Sequence, residues 1–213
     1  MPFFGPPPRR PPWEPPEPPT WGPPIWDRPS EDTLGASVAM TVLLARSDEH
    51  ALVLDEVRSY PNGFTFSLVM MGNPNTPPDP AEMHRPWMMQ GRVGFEFADG
   101  SVVSSEPKPM PGGRMPFNAS SSSMVVAAAS IGPGGIDLDP DGVPTGHVLR
   151  AQGGGGGSHN RFSTGFWCFR LPTPGPMTIH ADWPDHLDEV AVEADATPIV
   201  DAAARATILW DRE

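Results

Sequence analysis

The sequence has a single cysteine, Cys168, and a single lysine, Lys108, among 213 residues. One cysteine excludes an internal disulfide and any zinc site built from paired cysteines. The residues around it, 165–169, are mostly apolar, so we expect a buried strand thiol rather than a catalytic nucleophile. No run of 18 apolar residues is present, and prolines follow Arg9 and Arg10 where a signal peptide has its apolar region. We therefore expect a cytoplasmic protein without a transmembrane helix.

Large apolar side chains are scarce and unevenly placed. Leu, Ile, Val and Phe number 42, about 20% of the chain, while Pro and Gly contribute 31 and 22 residues. Most of the 42 lie in residues 33–71, 93–105 and 147–213. These segments suffice for one modest core, and an enzyme of two ordinary domains is excluded.

The charge is strongly negative. The formal net charge is -12, and residues 136–213 carry twelve acids against five arginines. Such a surface repels phosphate backbones and anionic lipids, so we expect neither a nucleic acid nor a membrane as partner.

Residues 1–32 form a segment rich in proline and tryptophan. Thirteen of the first 30 residues are Pro, which excludes a helix or a central strand, and Trp13, Trp21 and Trp26 lie among them. The segment either floats or lies along the domain as an extended strap. Arg9-x-x-Pro12-x-x-Pro15 matches a proline-rich ligand for aromatic grooves, although such matches arise by chance among so many prolines.

The rest of the chain reads as strands. Residues 64–70 and 177–183 alternate apolar and polar side chains, which is typical of half-buried strands. Asn62-Gly63 predicts a type I′ hairpin turn, and Asp99-Gly100 predicts a second hairpin. Thr197 followed by Pro198 predicts the start of a short helix, after which 208–210 would dock on the core.

These patterns predict an all-β fold: an immunoglobulin-like antiparallel β-sandwich with long loops, a Pro-rich N-terminal extension and one short C-terminal helix. The sandwich would span residues 33–213 as a single domain. Loop insertions are expected at 72–92 and 106–146.

The most specific chemical signal is Asp137-x-Asp139-x-Asp141-Gly142. Acids at alternate positions before a glycine can bring oxygens together on Ca²⁺. The position where a calcium loop has its closing acid is Val148, so a solvated acidic loop is the alternative. Calcium is the only cofactor that a motif in the sequence indicates.

Other chemical patterns indicate no enzyme. The five glycines at 153–157 end in Ser158-His159 and lack the Gly-Lys-Ser/Thr of a phosphate loop. No GxSxG elbow is present, and adjacent Ser158 and His159 would point apart on an extended chain. His180 and Asp182 share a strand face that could seed a metal pair, but solvent-facing polar residues explain them equally well.

Several segments of the sequence are distinctive, namely 5–13, 149–159, the strand to Trp167, Leu171-Pro172-Thr173-Pro174-Gly175-Pro176, Trp183-Pro184 and 202–210. Together they resemble a group of short uncharacterised proteins from high-GC Gram-positive bacteria. That group also has a Pro/Trp-rich start, a glycine run before an aromatic strand, and a short helix with a Leu-Trp close. The resemblance implies the same architecture and no particular activity.

The function expected from the sequence is a non-enzymatic protein-interaction or scaffolding module. The alternatives are a β-sandwich that binds calcium or a small ligand through Asp137, Asp139 and Asp141, and a hydrolase, which would need a cleft that collects histidine and acids. Tryptophan and methionine are favoured in interface cores. The candidate contact residues for a protein partner are Trp13, Trp21, Trp26, Trp87, Met88 and Met89.

Overall fold

A computed structural model describes residues 24–76, 91–105, 137–158 and 160–210. These residues form twelve strands and one helix. In chain order the elements are β1 (Thr33–Leu34), β2 (Ala36–Ser37), β3 (Val42–Arg46), β4 (His50–Tyr60), β5 (Gly63–Gly72), β6 (Arg92–Glu96), β7 (Val102–Ser104), β8 (Val148–Ser158), β9 (Arg161–Phe169), β10 (Pro176–Trp183), β11 (Leu187–Asp195), α1 (Thr197–Ala203) and β12 (Thr207–Ile208).

The strands form three antiparallel sheets, which confirms the all-β prediction. The six-stranded sheet has the order β2-β4-β5-β9-β8, and β3 also pairs with β4. The four-stranded sheet has the order β11-β10-β6-β7, and β1 pairs with β12 in a small separate ribbon. Within the described residues, no helix has the length and apolar character needed to span a bilayer.

The two larger sheets share one core. Phe64, Phe66, Leu68 and Met70 of β5 are all at most 2% exposed, as their alternation predicts. The ring of Phe66 lies 5.2 Å from that of Phe95 on β6, edge to face, and so joins the six-stranded sheet to the four-stranded one. Aromatic pairs of this geometry add stabilisation beyond that of their buried area.

The four-stranded sheet contributes the other side of this core. Met177, Ile179, Ala181 and Trp183 of β10 are buried, which confirms the alternation expected there.

Cys168 on β9 is fully buried, and burial raises the pKa of its thiol far above the usual range. The thiol is therefore protonated and unreactive, as its apolar neighbours indicate.

The start of α1 differs from the expectation. The N-cap residue is Ala196, without a side-chain cap, and Pro198 lies in the first turn. The hydroxyl of Thr197 instead accepts a hydrogen bond from the backbone N–H of Gly175 at 3.1 Å. The predicted N-cap was wrong because the threonine oxygen is used by the turn before β10.

The β4–β5 hairpin is present, but its turn is not the expected type I′ turn on Asn62-Gly63. Tyr60 pairs with Gly63, so the turn residues are Pro61 and Asn62. Among the described residues with positive φ, neither Asn62 nor Gly63 occurs. Gly63 is needed for a close approach instead, since a Cβ there would lie 2.2 Å from the carbonyl oxygen of Cys168.

Replacing Gly63 with alanine should therefore lower the free energy of unfolding by about 3 kcal/mol, as expected for a side chain forced into packed backbone. Gly146→Ala is the matched control, because a Cβ there meets nothing within 4 Å. Urea unfolding of both variants measures the difference. Equal stability of the two variants would contradict this account of Gly63.

Candidate functional site

A second apolar cluster lies on the outer face of the six-stranded sheet, away from the main core. Val148, Trp167 and Phe169 are buried there. Tyr60 and Val143 pack against them, and so does Trp26 from the segment that precedes β1. These three side chains therefore cover the part of the outer face around Trp167.

Trp26 is held from several sides. Its backbone oxygen accepts a hydrogen bond from the indole of Trp167 at 3.0 Å, and its own indole donates to the Gly142 oxygen at 3.1 Å. The guanidinium of Arg150 lies 4.6 Å from the Trp26 ring and makes a 2.8 Å ion pair with Asp27. Residues 24–32 thus lie along the domain, while residues 1–23 of the predicted strap fall outside the described residues.

The other partner-binding candidates fall outside the described residues. These are Trp13, Trp21, Trp87, Met88 and Met89, and their role stays a prediction. Trp26 is the one candidate of this set within the described part of the chain, and its ring is engaged within the chain. Sequence reasoning identified Trp26 but missed its partners Tyr60, Arg150 and Trp167, because nothing local links residues more than 30 positions apart.

The acidic loop forms a tight turn. Oδ1 of Asp139 accepts hydrogen bonds from the backbone N–H groups of Asp141 and Val143, both at 2.9 Å. Leu138 and Pro144 bridge the two sides of the loop, and Gly142 has a φ of +76°. Among the described residues no group of three or more His, Cys, Asp or Glu side chains is placed to hold a metal ion. Calcium binding by Asp137, Asp139 and Asp141 stays a prediction.

A polar pocket of about 570 Å³ lies where four turns meet at one end of the sheets. His147 and Asp99 line it together with Arg170, so one cleft does collect a histidine and an acid. Asp99 accepts hydrogen bonds from the Ser101 and Thr173 hydroxyls at 2.5 and 2.9 Å. These bonds, the Ser101 hydroxyl first, lower the pKa of Asp99 to about 2.

His147 is the second perturbed group of this end pocket. Burial lowers the pKa of its imidazole, and the Phe169 backbone oxygen and Asp99 offset this only in part. Its Nδ1 is buried without a hydrogen-bond partner in the described structure, and the ring lies 4.5 Å from that of Phe97. Ser101 bonds to Asp99 rather than to His147, so the three residues do not form a nucleophile–base relay.

The β1–β12 ribbon carries large apolar side chains that are exposed. Leu34 pairs with Thr207 and Thr33 with Ile208, so Leu34 and Ile208 lie on opposite faces of the ribbon. Both are more than half exposed, and Leu209 and Trp210 follow at 48% and 65%. The expectation that 208–210 dock on the core was wrong. We name Leu34, Ile208, Leu209 and Trp210 the apolar ribbon surface.

No protein-family model, curated protein or solved structure matches this chain.

Trp26→Ala should lower the free energy of unfolding by about 2 kcal/mol, because the second cluster loses its cover and Arg150 loses its aromatic partner. Trp210→Ala is the matched control and should change stability by less than about 0.5 kcal/mol, since Trp210 is exposed. Urea unfolding measures both. Equal losses in the two variants would overturn the assignment of Trp26 to a cover.

Stability should fall on acidification through His147. Its pKa in the folded state lies below the unfolded value, so the unfolded chain takes up the proton first, and this contribution is lost as pH falls below about 6.5. Unfolding free energies of the wild type and His147→Gln at about pH 7.5 and about pH 5.5 test this. A smaller pH dependence in the variant is expected; an unchanged dependence would refute it.

The acidic loop can be tested for turn formation and calcium binding together. Asp139→Ala should lower the free energy of unfolding by about 1 kcal/mol, because the half-buried N–H of Val143 and the exposed N–H of Asp141 lose their acceptor. Asp141→Asn should cost almost nothing. The calcium hypothesis predicts a higher Tm in millimolar Ca²⁺ than in EDTA, lost in Asp141→Asn. An identical Tm in Ca²⁺ and in EDTA would contradict the calcium hypothesis.

Proposed function

We propose that the protein is a non-enzymatic protein-interaction module whose contact region is the apolar ribbon surface. The supporting observation is the exposure of Leu34, Ile208, Leu209 and Trp210 in a chain that has few large apolar residues. Single exposed apolar residues are ordinary, but four of the eight exposed large apolar side chains of the described residues lie in this ribbon or directly after it. Such grouping is typical of interaction sites.

The geometry of the ribbon strengthens this proposal. A two-stranded ribbon with two residues in each strand is at best marginally stable alone. Apolar side chains on both of its faces are exposed, so the main core covers neither face. A protein partner that closes over the ribbon would bury Trp210, and buried tryptophans often dominate the binding free energy of an interface.

We also propose that the sandwich is of the immunoglobulin-like type. The supporting observation is the strand order. The pairs β4-β5 and β8-β9 form one sheet in the order β4-β5-β9-β8, and the pairs β6-β7 and β10-β11 form the other in the order β7-β6-β10-β11. This corresponds to strands A-B-E-D and C′-C-F-G of immunoglobulin sandwiches. That architecture often serves binding, although fold alone does not define function.

A cytoplasmic location is part of the same proposal. The lone Cys168 is buried and can form no internal disulfide, which suits a reducing compartment. The negative net charge of -12 favours a protein partner over nucleic acid or anionic lipid.

The test compares three immobilised proteins with an extract of the cells from which the chain comes. They are the wild type, the Ile208→Ser/Trp210→Ser variant, and the control Val102→Ser, in which an equally exposed apolar residue of β7 is changed. A protein retained by the wild type and the control but lost from the ribbon variant supports the proposal. Equal retention by all three, with the variant folded by circular dichroism, would contradict it.

A further inference from the structure

A groove with a volume of about 900 Å³ lies on the outer face of the six-stranded sheet. We name it the outer groove. Its floor crosses the sheet through Ser67, Gly165 and Gln152, which are directly opposite one another in β5, β9 and β8. The floor side chains are small or unbranched, so the groove is open enough to admit a peptide chain.

Two carboxylates, Asp55 and Glu56, and one guanidinium, that of Arg58, line this groove. The carboxylates are brought there by a bulge of β4. Between Asp55 and Arg58 the pairing with β5 shifts, and Glu56 has a φ of +54°. Left-handed backbone at a glutamate costs free energy and occurs mostly where a side chain has to be re-aimed. Here the bulge places Asp55 and Glu56 on the same groove.

Neighbouring hydroxyls fix both acids. Asp55 accepts a hydrogen bond from Thr41 at 2.8 Å, and Glu56 accepts one from Ser67 at 2.6 Å. The bond from Thr41 lowers the pKa of Asp55, so its carboxylate is ionised at neutral pH. Each carboxylate retains acceptor capacity for a cation.

The remaining wall of the groove suits proline. Tyr60 lines it and packs edge to face on Trp167 with 5.7 Å between ring centroids. Pro29 of the strap lies along it as well. An aromatic wall beside paired acids is the combination that receives a proline-rich segment flanked by arginine.

We propose that the outer groove binds residues 9–15 of this chain, Arg9-Arg10-Pro11-Pro12-Trp13-Glu14-Pro15, with the two arginines on Asp55 and Glu56. The two acids outnumber Arg58 in the groove, and the two arginines outnumber Glu14 in the segment, so the net charges remain opposite in sign. Arg9 and Arg10 are adjacent within a run of prolines.

The length of chain permits this contact. The oxygen of Ile25 accepts a hydrogen bond from Asn62 at 3.0 Å, and Asn62 lies in the turn two residues after Tyr60. Two residues span at most about 7 Å, so Ile25 lies near the Tyr60 end of the groove. Eight residues, 16–23, connect Pro15 to Pro24, and a chain of this length reaches up to about 25 Å if it is extended as polyproline II. The segment can therefore return to the groove within its own chain.

The test is a double-mutant cycle on the full chain. Arg9→Gln/Arg10→Gln removes the cations, and Asp55→Asn/Glu56→Gln removes the acids while leaving the oxygens that Thr41 and Ser67 need. The arginine changes should lower the Tm by about 2 °C in the wild type and by almost nothing in the acid-free background. The coupling should shrink when salt is raised from about 20 mM to about 500 mM.

Asp188→Asn/Glu189→Gln is the matched control, an adjacent acid pair on β11 of the other sheet. The Tm loss caused by the arginine changes should persist in that background. Equal losses in both acid-free backgrounds, or no loss in the wild type, would overturn the proposal. Sedimentation velocity distinguishes the source of the segment: a dimer abolished by either set of changes would overturn docking within one chain in favour of a second copy.

Discussion

The aromatic layer between the two larger sheets is the contact on which the rest of the structure depends. Phe66 touches Phe95 across the sheets and stacks on Phe166 within its own sheet, so one ring links three strands. With Leu, Ile, Val and Phe only about 20% of the chain, little apolar material remains for any other surface. The part of the outer face around Trp167 is accordingly covered by Trp26, a residue from outside the strands of that sheet.

The strands could be predicted because their pattern is local. Alternation in β5 and β10 identifies buried positions directly, since side chains on a strand point to opposite faces in turn. The predictions of a turn type and of a helix N-cap were less accurate. Asn62-Gly63 and Thr197 have the right residues for a type I′ turn and an N-cap, yet Gly63 serves a close approach to Cys168, and Thr197 serves Gly175. Both misassignments arose from contacts with residues distant in sequence.

The candidate sites were harder to foresee for the same reason. The cluster of Trp26 with Arg150 and Trp167 joins residues more than 120 positions apart, and no local pattern pairs them. The Glu56 bulge follows from the pairing of two strands rather than from the residue itself. Conversely, the regular spacing of Asp137, Asp139 and Asp141 reads as a metal loop, while Asp139 serves as the acceptor that closes a turn.

We propose that this domain binds a protein partner through the apolar ribbon surface. A photocrosslinking amino acid at position 210, introduced in the cells from which the chain comes, tests this claim most directly, with position 102 as the reference site. The account predicts a discrete covalent adduct with another protein at position 210 and none at position 102. Adducts of equal yield at both positions, or none at either, would contradict it.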